Sequence, residues 1–188
     1  MTLPAMPPLH PVALWRQVMH VALLALALLH PAPARAADAA PVPVASPDGL
    51  RTTTLRLRDL GAYYPIDLRG VDQSAWLPLS IRLDESVVSA KLRLNYTLSP
   101  SLLPELSQLK VMIDEQPLAT LMASKDKLGS PQQAEIDLDP RYFVEFAKLR
   151  LQFIGHYTME CEYPLHSSLW ASISNDSTLE LVTRPLAL

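Results

Sequence analysis

The strongest restriction on the fold is a period-two alternation that recurs from residue 52 onward. Ala90, Leu92, Leu94 and Tyr96 can share one face of an extended segment, with Lys91, Arg93 and Asn95 on the other. Ala134, Ile136 and Leu138 face away from Glu135 and Asp137 in the same way. The scheme repeats over 54–57, 148–153 and 177–181. One-sided alternation of this kind belongs to antiparallel sheets that bury a single face. The chain is therefore expected to be all-β.

Turn signals separate these segments. Leu109–Ile113 and Pro117–Leu121 flank the polar Asp114-Glu115-Gln116, which reads as a hairpin turn. Pro140 after Asp139 stops a strand, because proline offers no ladder donor. Residues 99–106 read as a loop with a short helical turn, and Arg141–Phe146 as one brief helix. Many short strands with turns between them predict a β-sandwich of the jelly-roll type.

Residues 1–36 have the form of a secretory signal peptide. A weakly basic start is followed by the apolar run Val21–Leu29 and then by Ala34-Arg35-Ala36, a small-x-small cleavage pattern. The run is shorter than the roughly 20 residues that span a bilayer. Residues 37–51, with Pro41, Pro43 and Pro47, read as a stiff Pro/Ala-rich linker. The roughly 140 residues that follow, over 52–188, suffice for one domain with a real core.

Loss of the leader would remove Arg16 and Arg35 and no acid, leaving 14 basic side chains against 19 acidic ones. A mildly acidic exported chain lacks the clustered basic face that nucleic acid requires, so no nucleic-acid partner is expected. A single Cys in an oxidising compartment is an odd count. Cys161 is expected to be a buried, unreactive thiol, with a partner elsewhere as the alternative.

Chemistry-bearing residues concentrate in Gly155–Ile173, which holds His156, His166, Cys161 and Trp170. His156, Cys161 and His166 follow one another at equal intervals, a ligand set that zinc accepts with one position left for water. The close C-x2-C or H-x3-H pairs of ordinary zinc sites are missing, so a zinc-dependent hydrolase is only the remote alternative. Glu160 and Glu162 beside Cys161 would raise its pKa, the wrong direction for a nucleophilic thiolate. Glu135, Asp137 and Asp139 alternate on one strand face and read as a solvated surface, not as a glycosidase carboxylate pair. Five glycines, none clustered, supply no phosphate cradle. No catalytic residue and no cofactor is expected, and the chain is not read as an enzyme.

Aromatic stacking on sugar rings remains. Trp76, Tyr63, Tyr64, Tyr157, Tyr163 and Trp170 are the candidates, and for each of them core packing accounts for the side chain equally well. Trp170, between Leu169 and Ala171-Ser172-Ile173, reads as core more than as platform. Trp76, His156, Tyr157, Tyr163 and Trp170 form the candidate carbohydrate-binding set.

An ordered series of short matches then identifies a family. It comprises Leu60-Gly61, Leu68-Arg69-Gly70, Ile81–Leu94, Leu98–Pro104, Ser107–Val111 and Leu138-Asp139-Pro140. It continues with Ile154-Gly155-His156-Tyr157, Cys161-Glu162-Tyr163-Pro164, Ser167–Ala171 and Ile173-Ser174. From about residue 55 to 184 the chain resembles the bacterial cellulose synthase regulatory (B) subunit. The resemblance implies a non-catalytic periplasmic protein of the inner-membrane cellulose secretion complex. Its partners would be the catalytic synthase subunit, other members of the complex and the nascent β-1,4-glucan.

In that family a jelly-roll carbohydrate-binding domain comes first. Ferredoxin-like modules, a second such domain and a C-terminal membrane helix follow. Leu188 falls near the end of the first domain, so a truncated or split reading frame is expected, with membrane association only through the complex or the missing helix. The rival expectation is a purely structural subunit-interaction domain. Family members are often labelled as binding cyclic di-GMP. Here only Arg56, Arg58 and Arg69 form a loose basic group, and the messenger is cytoplasmic, so the catalytic subunit is the more sensible receptor.

Overall fold

The computed structural model of the chain describes residues 44–45, by backbone alone, and residues 49–186. The expected leader and most of the expected linker lie outside the described residues. Eleven strands are described: β1 (Val44–Ala45), β2 (Arg51–Arg56), β3 (Ile66–Arg69), β4 (Asp72–Pro78), β5 (Glu85–Leu98) and β6 (Gln108–Ile113). They continue as β7 (Gln116–Met122), β8 (Gln132–Leu138), β9 (Lys148–Ile154), β10 (Trp170–Ile173) and β11 (Thr178–Pro185). All pairings are antiparallel.

One sheet of seven strands is organised on β5, which pairs with β8 along one edge and with β11 and then β10 along the other. β2 and β1 extend it beyond β11, and β3 beyond β10. The second sheet has four strands in the order β4-β9-β6-β7. From β3 to β6 each connection crosses from one sheet to the other, as do β7–β8, β8–β9 and β9–β10. This gives the expected all-β sandwich of jelly-roll type.

The alternation read from the sequence is realised as burial. Ala90, Leu92, Leu94, Tyr96 and Leu98 point inward from β5, and Leu149, Leu151 and Phe153 point inward from β9. They meet Leu109, Val111, Leu179, Ala171 and Ile173 in one hydrophobic core. Each such Leu, Ile or Phe contributes roughly 1.5–3 kcal/mol when fully buried. The β6–β7 hairpin turns at Asp114, whose φ is 51°. Asp114 Oδ1 accepts the Lys148 N–H at 3.0 Å and so ties the turn to β9.

Two expected helical pieces are smaller than the sequence implies. The segment Arg141–Phe146 contains one 3-10 turn, Pro140–Tyr142, capped by Asp139, which accepts the Arg141 N–H at 3.0 Å. Phe143 ends the turn with ψ 78°, and Phe146 farther on has φ 63°. Residues 99–107 contain turns and no helix, since proline at 100 and 104 removes amide donors.

Candidate functional site

Three connections meet at one end of the sandwich and position the cluster singled out above. β9 leads into the loop 155–169, and its first residue donates Gly155 N–H to Val71 O at 3.0 Å. A β-carbon at Gly155 would lie 2.3 Å from the buried Phe153 ring, so only glycine fits there. His156 is gripped by the β5–β6 loop. Its N–H donates to Ser107 Oγ at 3.0 Å, and its carbonyl accepts the Leu103 N–H at 2.7 Å. Farther along, Pro164 O accepts the Val71 N–H at 3.1 Å, and Leu169 O accepts the Gly70 N–H at 3.0 Å.

Within the loop, Glu162 is the organising side chain. One carboxylate oxygen lies 2.8 Å from His156 Nδ1, and the other accepts the Tyr157 N–H at 2.9 Å. Burial alone would raise the Glu162 pKa. The Tyr157 N–H, the His156 ring and the Thr158 N–H outweigh it, and the carboxyl is held below the ordinary glutamate range. Tyr157 stacks on His166 with ring centroids 4.3 Å apart. The Tyr157 hydroxyl accepts the Tyr163 N–H at 3.1 Å, and His166 Nδ1 accepts the Ser168 N–H at 3.2 Å. The resulting loop is internally fixed, and it displays Met159, Tyr163 and Leu165, each more than half exposed.

His156, Tyr157 and Tyr163 are thus brought together, whereas the two tryptophans lie elsewhere. Trp76 sits on the outer face of the four-stranded sheet, 44% exposed. The Arg150 guanidinium lies 4.6 Å from its ring centroid, held by Ser74 Oγ at 3.1 Å and Glu115 at 2.7 Å. One indole face is therefore occupied by a cation–π contact. Trp170 corrects an expectation. Ala171 and Ile173 are the core residues of β10, and Trp170 lies half-buried on the opposite side, paired across the strands with Arg69.

Cys161 is a second correction. It is exposed and unpaired among the described residues, because it stands at the loop's tip between two glutamates instead of on a strand. His156, Cys161 and His166 do not assemble a metal centre. Among the described residues no three His, Cys, Asp or Glu side chains form a group that could hold an ion. The loose basic group is also occupied: Arg56 lies 3.6 Å from Asp59, Arg58 pairs with Asp176, and Arg69 lies 3.8 Å from Asp67.

Sequence reasoning passed over a trough of about 500 Å³ on the outer face of the seven-stranded sheet. Asn95, Thr97, Gln133 and Ser172 line it together with Tyr96, with Pro65 and Pro131 at its walls. The available signal was the outward residues of β5, which change from Lys91 and Arg93 to Asn95 and Thr97.

A family model described as "Cellulose synthase BcsB, first CBM domain" matches residues 50–185. A "Cyclic di-GMP-binding protein" of Xanthomonas axonopodis pv. citri (strain 306) is 49% identical over 150 residues, covering 80% of this chain and 18% of that protein. A protein of the same name from Pseudomonas fluorescens (strain SBW25) is 44% identical, covering 79% of this chain and 20% of that one. "Cellulose synthase 2" of Novacetimonas hansenii is 37% identical, covering 74% of this chain and 9% of its own length. The chain thus spans a fifth or less of the length of these relatives. Among solved structures, a family 35 carbohydrate binding module from an environmental isolate aligns at 13% identity and TM-score 0.37, covering 64% of this chain and 75% of the module. By the family match over its β-sandwich, the chain belongs to the cellulose synthase BcsB family, as its first CBM domain.

Proposed function

We propose that this domain is a non-catalytic part of a cellulose synthase complex, held in the periplasm beside the inner membrane, where it contacts and guides nascent β-1,4-glucan. The observation that carries this reading is the fixed loop of His156, Tyr157, Glu162 and Tyr163 on a domain of a carbohydrate-binding-module family. Tyr163 offers an exposed ring for a sugar face, and the polar groups around it are already aligned, so little conformational entropy is lost on contact. A translocating polymer must be released as readily as it is held, so each contact is weak and several act together.

The partners in this reading are the catalytic synthase subunit and the other members of the complex. Cyclic di-GMP, named in the relatives, is better assigned to a cytoplasmic subunit. Two phosphates call for unengaged cations, and Arg56, Arg58 and Arg69 each face a carboxylate. A subunit-docking role is favoured by one observation, the exposed Met159 and Leu165 on the same loop. Calorimetric titration of the chain with cellohexaose tests the main reading. Millimolar affinity that falls when Tyr163 is changed to Ala supports it, and no heat at any accessible concentration rejects it in favour of docking.

A further inference from the structure

The outer face of the seven-stranded sheet is divided into two chemically distinct halves. Toward the start of β5 every outward charge is matched: Lys91 lies 2.6 Å from Glu135 and 3.6 Å from Asp137, and Arg93 lies 3.0 Å from Glu135 and 3.7 Å from Glu180. Two residues on along β5 the charges give way to amides and hydroxyls, and the nearest outward charges are Asp67 and Arg69 of β3, 3.8 Å apart. Asn95 pairs across the strands with Gln133, and Thr97 with Ser172, and these residues line the trough. Its volume falls within the roughly 300–1,000 Å³ of small-ligand sites.

Hydrogen bonds hold several of the side chains that line the trough. Gln133 Nε2 donates to Asn95 Oδ1 at 3.0 Å, which fixes both amides. The Asn95 amide donors and the Gln133 carbonyl have no described partner. Gln132 is held by the Lys127 carbonyl at 3.1 Å and by the Tyr96 hydroxyl at 3.3 Å. Ser172 Oγ donates to Asp67 at 2.7 Å and keeps its acceptor capacity. At one wall, Pro65 follows Tyr63 and Tyr64, which are 80% and 82% exposed. Asn175 pins this segment by donating to Tyr63 O at 3.0 Å.

A fixed amide donor beside a fixed amide acceptor matches vicinal hydroxyls, since each hydroxyl both donates and accepts. No cation is among the residues that line the trough to receive a phosphate or carboxylate, and Pro65, Tyr96 and Pro131 give it apolar surface beside its amides and hydroxyls. Proline walls and a neighbouring exposed Tyr64 suit the C–H faces of pyranose rings. We propose that this trough is a second carbohydrate site, separate from the loop, that takes a neutral unbranched glycan. Its identity as β-1,4-glucan rests on the function proposed above.

The test is amide-resolved NMR titration of the chain with cellohexaose and, in parallel, mannohexaose. Expected are cellohexaose-dependent shifts at Asn95, Thr97, Gln133 and Ser172. Asn95→Ala with Gln133→Ala should weaken them about tenfold, as loss of two net hydrogen bonds implies, while Tyr163→Ala leaves them unchanged. Tyr64→Ala supplies a variant that touches no strand. Shifts confined to the Tyr157–Tyr163 loop, with the double variant binding like the parent, would overturn the trough and leave the glucan reading intact. Trough shifts with mannohexaose alone would uphold the site and reject the glucan. No trough response to either sugar overturns the proposal.

Discussion

A β-carbon on Gly155 meets the Phe153 ring at 2.3 Å, and Phe153 is fully buried. The ring cannot yield without opening the core, so Gly155→Ala should destabilise the chain by about 1–3 kcal/mol. A lower urea midpoint with unchanged slope would show it. Seven residues on, Glu162 makes a pH-dependent contribution whose sign follows from its lowered carboxyl pKa. In the folded chain the proton is bound less readily than in the unfolded one. The stabilisation is therefore complete above the ordinary glutamate value near pH ~4.3 and is lost as pH falls through the lower folded value. The Glu162 carboxyl carbon should titrate below that value by NMR, and Glu162→Gln should remove this segment of the stability curve. A midpoint at or above the ordinary value would refute the bridging role.

β5 shows how unevenly one element carries stability. Its fourteen residues run from Glu85 to Leu98, but its inward leucines lie in the second half, where β8 covers the second edge. Leu94→Ala empties a fully buried position and should cost about 2–5 kcal/mol. Val88→Ala, at a position 39% exposed, should stay within about 1 kcal/mol. Paired thermal melts would check the contrast, and equal losses would refute it. The half that matters is the half legible in the sequence, because alternation is visible only where one face is buried. β4 was illegible for the complementary reason. Trp76 is its largest apolar residue and faces outward over Arg150, and Gln73 is exposed, so no clean period survives. The expected helix at 141–146 stops after Tyr142 because Phe143 leaves the helical region, with ψ 78°, a backbone state that the side-chain pattern does not report.

At the scale of the whole molecule, what was legible and what was not divide by the range of the interaction. Sheet faces and turns follow from neighbours in sequence, so the all-β sandwich could be read directly. The His156–Glu162 contact depends on the folding of an irregular loop. The trough depends on the registers of β5 against both β8 and β10, which pair Asn95 with Gln133 and Thr97 with Ser172. The same long-range architecture makes a prediction about cooperativity. Inward residues of both sheets form one core, so neither sheet can open without exposing the other's apolar face. Trp76 reports on the four-stranded sheet and Trp170 on the seven-stranded one. Chains that retain only one of these tryptophans, with Trp15 and the other changed to Phe, should lose native fluorescence at the same urea concentration. That midpoint should also coincide with the loss of β-sheet circular dichroism, as for a two-state domain. Separated midpoints would mean that the sheets unfold independently and that the shared core does not couple them.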